Sequence, residues 1–174
     1  METFFFYLKL GLNHITDLNG YDHLLFIVAV ACFYTLKDSK KLVYLLTAFT
    51  LGHSITLALA ATKLIHFSSE IAEIIIPFTI LMTSILNLIK LNKTQSKDTV
   101  LYIVITIFGL IHGLGFSTYF SAILGNEESV VFPLLSFNIG LEIGQIIIVL
   151  IFLVLREMLS KMIQFKHIES VIFL

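Results

Sequence analysis

The chain has 174 residues, 57% hydrophobic and 13% charged, with a mean hydropathy of +0.97 and a formal net charge of −1. A soluble domain carries roughly twice that charged fraction, so the composition excludes an ordinary soluble fold and points to a polytopic membrane protein with a single domain over 1–174. The near-neutral charge gives no argument for nucleic acid, and the single cysteine, Cys32, supports neither a disulfide framework nor a thiolate metal site.

Met1 to Phe6 has no basic n-region and no small-residue cleavage site, so it does not read as a removed signal peptide. Phe4 to Asn13 is apolar but too short to span by itself, and reads as a half-helix, an interfacial segment or the tail of a tilted helix. His14 to His23 is polar and turn-rich: Asn19-Gly20 is a turn signal and Asp22 an N-cap or first-turn residue for the helix that follows. Five spanning helices are expected next, at about Tyr21 to Leu36, Leu42 to Leu64, Ile71 to Leu91, Val100 to Leu124 and Val130 to Leu159. Glu169 to Leu174 reads as the start of a further helix. The fold class expected is therefore an all-α transmembrane bundle, with a short N-terminal helix before the five spans and a truncated one after them.

The connections at 37–41, 90–97 and 156–166 are basic on balance, whereas 63–70 is mixed and 125–129 carries Glu127 and Glu128. Positive-inside alternation makes the basic loops cytoplasmic and turns His14 to Asp22 outward, in a multi-pass protein of the bacterial cytoplasmic membrane. The bilayer is its one clear partner. A homo-oligomer or a membrane partner is left open.

Polar residues inside the apolar runs carry the chemistry. In Val130 to Leu155, Asn138, Glu142 and Gln145 are spaced i, i+4, i+7 on one helix face, and Gly140 and Gly144 form a small-xxx-small pair. A carboxylate near the bilayer midplane costs on the order of 3 kcal/mol or more, so Glu142 calls for a partner, a metal or a proton. Counting about 1.5 Å per residue from the helix ends places His53, flanked by Thr50 and Thr56, level with His112 and Glu142. Gly109 and Gly113 bracket His112. On the third span, Glu73, Pro77, Ile80, Ser84 and Asn87 share a face, and His14, Asp22, His23 and Glu73 gather at the outer mouth. Imidazole and oxygen donors without thiolate suit nickel, cobalt or zinc. Each residue also has a plainer use: an interhelical hydrogen bond for a histidine, an N-cap for Asp22, a first-turn carboxylate for Glu73. His66 and His167 read as surface residues.

Gly20-Tyr-Asp-His-Leu-Leu-Phe26 with His14, Thr50-Leu-Gly-His-Ser-Ile-Thr-Leu57, Glu73 to Asn87, Phe108-Gly-Leu-Ile-His-Gly-Leu-Gly-Phe116 and Phe137-Asn-Ile-Gly-Leu-Glu-Ile-Gly-Gln145 together resemble the HupE/UreJ family of small bacterial membrane proteins, especially its second branch. The resemblance implies a nickel or cobalt permease associated with hydrogenase and urease maturation. By motif it carries over His14, Asp22, His23, His53, Glu73, His112, Asn138 and Glu142. Two features depart from the first branch: His14-x7-Asp22-His23 stands where that branch has His-x5-Asp-His, and the segment ending at Phe116 lacks a second histidine.

Two functions compete. In a divalent-metal permease, the outer cluster captures the ion and His53, His112 and Glu142 pass it inward. In an intramembrane zinc hydrolase, the same residues hold the metal and Glu73 or Glu142 is the general base. A third option is an accessory protein with a structural ion. A polar column reaching the cytoplasmic half favours transport, and a site confined to the outer half favours an enzyme.

Overall fold

The computed structural model describes residues 1–18, 20–32, 34–91, 98–125, 127 and 129–172. Most of them are helical: α1 Glu2–Thr16, α2 Tyr21–Ala31, α3 Ser39–Ala61, α4 Ser69–Leu91, α5 Asp98–Leu124 and α6 Val131–Ile172. Most of the basic loop at 90–97, Asn19 of the turn signal and Glu128 lie outside the described residues, as do the side chains of Asn87 and His167.

Among the described residues three helices are long and apolar enough to cross a membrane: Leu36–Ala61, Thr99–Leu124 and Val131–Met162. The other two of the five spans expected are not confirmed among the described residues. The clearest reason is α2, whose 11 residues make about 16 Å of helix against a hydrocarbon core of about 30 Å. The last turn of α4 lies outside the described side chains. The helix expected to begin at Glu169 does not start anew, because α6 runs unbroken to Ile172.

α2 completes a path that α1 begins. Phe4 lies against Phe132 in the first turn of α6 (ring centroids 6.3 Å), and Tyr7 against Phe120 near the end of α5 (6.3 Å). His14 then meets Phe116 (3.9 Å), His23 meets His112 (5.3 Å) and Phe26 meets Phe108 (6.5 Å). As numbers rise along α1 and α2, their partners on α5 fall. The two helices thus form one broken traverse from the end holding the start of α6, here the upper end, toward the lower end. There the Arg156 guanidinium of α6 donates to the Tyr34 carbonyl. The break marked by Asp17, Leu18 and Gly20 lies at the height of His53 and His112, mid-way along α3 and α5, and not in a loop beyond the bundle as the sequence suggested. Irregular backbone at that depth is tolerated where it lines a cavity, and Thr16, Asp17 and Leu18 border a cleft of about 800 Å3 with Phe116 and Tyr119.

Two glycine crossings hold the bundle together, and they follow one pattern. A Cβ on Gly109 of α5 would meet the Phe49 carbonyl oxygen of α3 at 2.1 Å, and one on Gly52 of α3 would meet that of Thr106 at 2.1 Å. Likewise a Cβ on Gly11 of α1 would meet the Phe137 oxygen of α6 at 2.0 Å, and one on Gly140 would meet that of Leu8 at 1.9 Å. Only glycine permits such contact of parallel backbones. In both crossings a Gly-x-x-His helix (Gly11 to His14, Gly109 to His112) lies against a Phe-x-x-Gly helix (Phe137 to Gly140, Phe49 to Gly52). The aromatic core, including the fully buried Phe26, Phe49, Phe120 and Phe137, fills the space between the pairs. Outward faces carry Ile74, Phe78, Ile103, Ile143 and Ile147, all exposed, as lipid-facing helices require.

Candidate metal centre

Four histidines from four helices meet at one place: the crossings bring His14, His53 and His112, and α2 brings His23. His23 sits at the middle, with ring centroids 4.5 Å from His14, 6.1 Å from His53 and 5.3 Å from His112. His14 is 5.7 Å from His53. His23, His53 and His112 are buried at 5%, 0% and 1% exposure. Asp22, His23 and His112 each offer one donor atom, all within 4.8 Å of one another.

Hydrogen bonds fix which nitrogens face the centre. The Thr79 hydroxyl donates to the Ile76 carbonyl at 2.7 Å, so at the 3.1 Å contact with His112 Nε2 the ring N–H is the donor. That leaves the lone pair on His112 Nδ1. Asp22 Oδ1 accepts from His23 Nδ1 at 3.1 Å, leaving the lone pair on Nε2. A carboxylate or hydroxyl orienting a ligand histidine in this way is the usual outer layer of a metal site. His112 Nδ1, His23 Nε2, His14 Nε2 and both ring nitrogens of His53 are buried without a hydrogen-bond partner among the described residues. Leaving such atoms unpaired costs about 1–3 kcal/mol each. A cation bound among imidazole and carboxylate donors would satisfy several together, and the donor set fits a borderline divalent metal.

The surroundings are asymmetric. Above, Asp17, Gly20, Asp22 and Glu73 line a mouth of about 200 Å3 that reaches His14, His23 and His112. Glu73 is exposed there and is not one of the three residues whose donor atoms meet. Below, Phe49 packs within 6.3 Å of His23, 6.1 Å of His53 and 5.1 Å of His112, and Phe26 lies 5.4 Å from His112. Phe137 stacks on His53 at 6.2 Å.

Several expected members fall elsewhere. Glu142 is not level with His53: its Oε2 accepts from Thr47, nearly two turns from His53 toward the lower end of α3, at 3.3 Å. Counting from helix ends ignored tilt and the different lengths of the helices. Thr50 donates to Gln145 Oε1 at 3.1 Å, and Asn138 Oδ1 is buried without a partner among the described residues. Thr56 donates to the Gly52 and Leu110 carbonyls, so it braces the α3–α5 crossing and not the histidines. On α4 the inward face is Ala72, Ile76, Thr79 and Thr83, all buried, whereas Glu73 and Pro77 are exposed. Thr79 was therefore missed. Its only sequence signal was the i, i+4 pair it makes with Thr83 inside an apolar helix.

Searches of curated proteins and of solved structures return no match to this chain. The profile of the family described as HupE / UreJ protein matches residues 1–173. Three apolar helices of spanning length and a match over the whole chain together make this a membrane protein that belongs to the HupE/UreJ family, which is associated with nickel and cobalt transport.

Proposed function

We propose that the protein is a permease of the bacterial cytoplasmic membrane for a divalent transition metal of the nickel/cobalt type. One observation carries this reading: five imidazole nitrogens without a hydrogen-bond partner among the described residues gather at a break in a helical path through the bundle, and polar groups continue below them. Interrupted helices meeting at mid-depth are how transporters build ion sites from backbone and side chains together. The lysine-rich stretch 37–41 makes the lower end cytoplasmic, so the mouth with Glu73 and Asp17 faces outward and gathers cations. Asp22, His23 and His112 take the ion, with His14 and His53 as exchange ligands. Thr47 and Thr50 of α3, with Glu142 and Gln145 of α6, continue the polar path further toward the cytoplasm. Passage requires Phe49 and Phe26 to move, because they close the centre from below in this conformation.

The same aromatic floor favours the competing reading, a zinc hydrolase whose cavity opens only upward. Uptake of radiolabelled nickel, cobalt and zinc into proteoliposomes separates the two. The permease reading expects uptake of at least one ion, its loss with His112→Ala, and reduced uptake with retained binding for Glu142→Gln. No uptake of any ion by the wild-type protein would retire the permease.

A further inference from the structure

Glu142 lies between α3 and α6, half-buried, in a cluster distinct from the histidines. The Thr47 hydroxyl donates to its Oε2 at 3.3 Å, and the Thr50 hydroxyl is also within hydrogen-bonding reach of the carboxylate. Thr50 meets Gln145 Oε1 at 3.1 Å. Gln145 is 0% exposed, and its Nε2 is unpartnered among the described residues. Asn138, one turn above Glu142 on the same face, has a buried Oδ1 that is also unpartnered there. Among the described residues no basic side chain forms an ion pair with Glu142. The cluster therefore holds oxygen donors from Glu142, Thr47, Thr50 and Gln145, with Asn138 one turn above, one net negative charge and no nitrogen that can act as a ligand.

We propose that Glu142, Thr47, Thr50, Gln145 and Asn138 form a second cation site, and that it takes sodium. Nickel, cobalt and zinc prefer the imidazoles above, whereas an all-oxygen set selects a hard cation. A single carboxylate balances a single positive charge. Magnesium demands octahedral geometry and keeps several waters, which a site wedged between two helices does not supply. Sodium is close to calcium in radius. These oxygens stand 3.3 and 3.1 Å apart as hydrogen-bonded pairs, a spacing that bonds of about 2.4 Å to one ion can also span. Each threonine hydroxyl turns its proton away and presents a lone pair when the ion arrives.

The location gives the site a use. Thr50 and His53 are one turn apart on α3, so an ion that fixes Thr50 also fixes the turn bearing a histidine of the upper centre. Sodium bound below would then raise the affinity above and be released with the cargo on the cytoplasmic side. This coupling rests on the permease reading; the sodium site itself does not.

Equilibrium binding of radiolabelled sodium to the purified full-length protein in detergent, in a potassium background, tests the site without transport. One saturable sodium per chain is expected. Glu142→Gln should weaken it about tenfold or more, Thr47→Val and Gln145→Met should weaken it as well, and His112→Ala should leave it intact. Circular dichroism and gel filtration identify a variant that fails to fold, in which case the milder Thr47→Val decides. Absence of saturable binding, or binding unchanged in folded Glu142→Gln or Thr47→Val, overturns the site. Sodium binding without any metal uptake would keep the site and remove the permease. Uptake without sodium binding would do the reverse.

Discussion

Replacing Gly109 by alanine tests whether the α3–α5 crossing sets the centre. The added Cβ would lie 2.1 Å from the Phe49 oxygen, 2.9 Å from its carbonyl carbon and 3.1 Å from the His53 nitrogen. Ordinary contact begins at 3.4 Å, so α3 has to withdraw by about 1.3 Å. Every obstructing atom is backbone, and none can rotate away. Overpacking of this kind costs about 1–3 kcal/mol, here at the upper end. Alanine regains about 1 kcal/mol of helix propensity, leaving a net loss of about 2 kcal/mol. For a chain of this size that lowers the melting temperature by about 4–8 °C. The displaced strip of α3 carries His53, and a shift beyond about 0.2 Å already disturbs a ligand set. Metal affinity should therefore fall as well. Gly115→Ala is the matched control on the same helix. Its Cβ meets the flexible tip of Ile76 at 3.1 Å and the Ala72 Cβ at an ordinary 3.7 Å, with no backbone in the way, so stability should hold or rise slightly. Circular dichroism melts in detergent, with and without nickel, supply both readouts. Equal tolerance of the two substitutions would refute the claim that glycine contact positions the histidines.

Thr79→Val keeps the shape of the buried α4 face but removes the group that orients His112, so metal affinity should drop about 10–100-fold while the helical signal is unchanged; isothermal titration measures it. For topology, in a Cys32→Ser background, cysteines at Ser39 and Glu127 should react with an impermeant reagent from opposite sides of the membrane. A cysteine at Glu2 should label with Glu127, since α1 starts beside the start of α6; labelling together with Ser39 would contradict the broken traverse.

By itself the sequence determined the membrane class, the position and extent of most helices and the family, and it marked the histidines as candidates, because hydropathy and a polar residue inside an apolar run are local properties. It could not determine the depth of 14–22. A polar, turn-rich segment reads the same whether it lies beyond a bilayer or lines a cavity inside one, and only the contacts of Tyr7, His14, His23 and Phe26 along α5 separate the two. Nor did periodicity show which face of α4 turns inward, since that face is chosen by the neighbouring helices and places Thr79, not Glu73, against His112. The same holds for Glu142. Its place on α6 is written in the sequence, but helix tilt and the parallel packing of α6 on α1 put it beside Thr47 and leave His53 to the centre above.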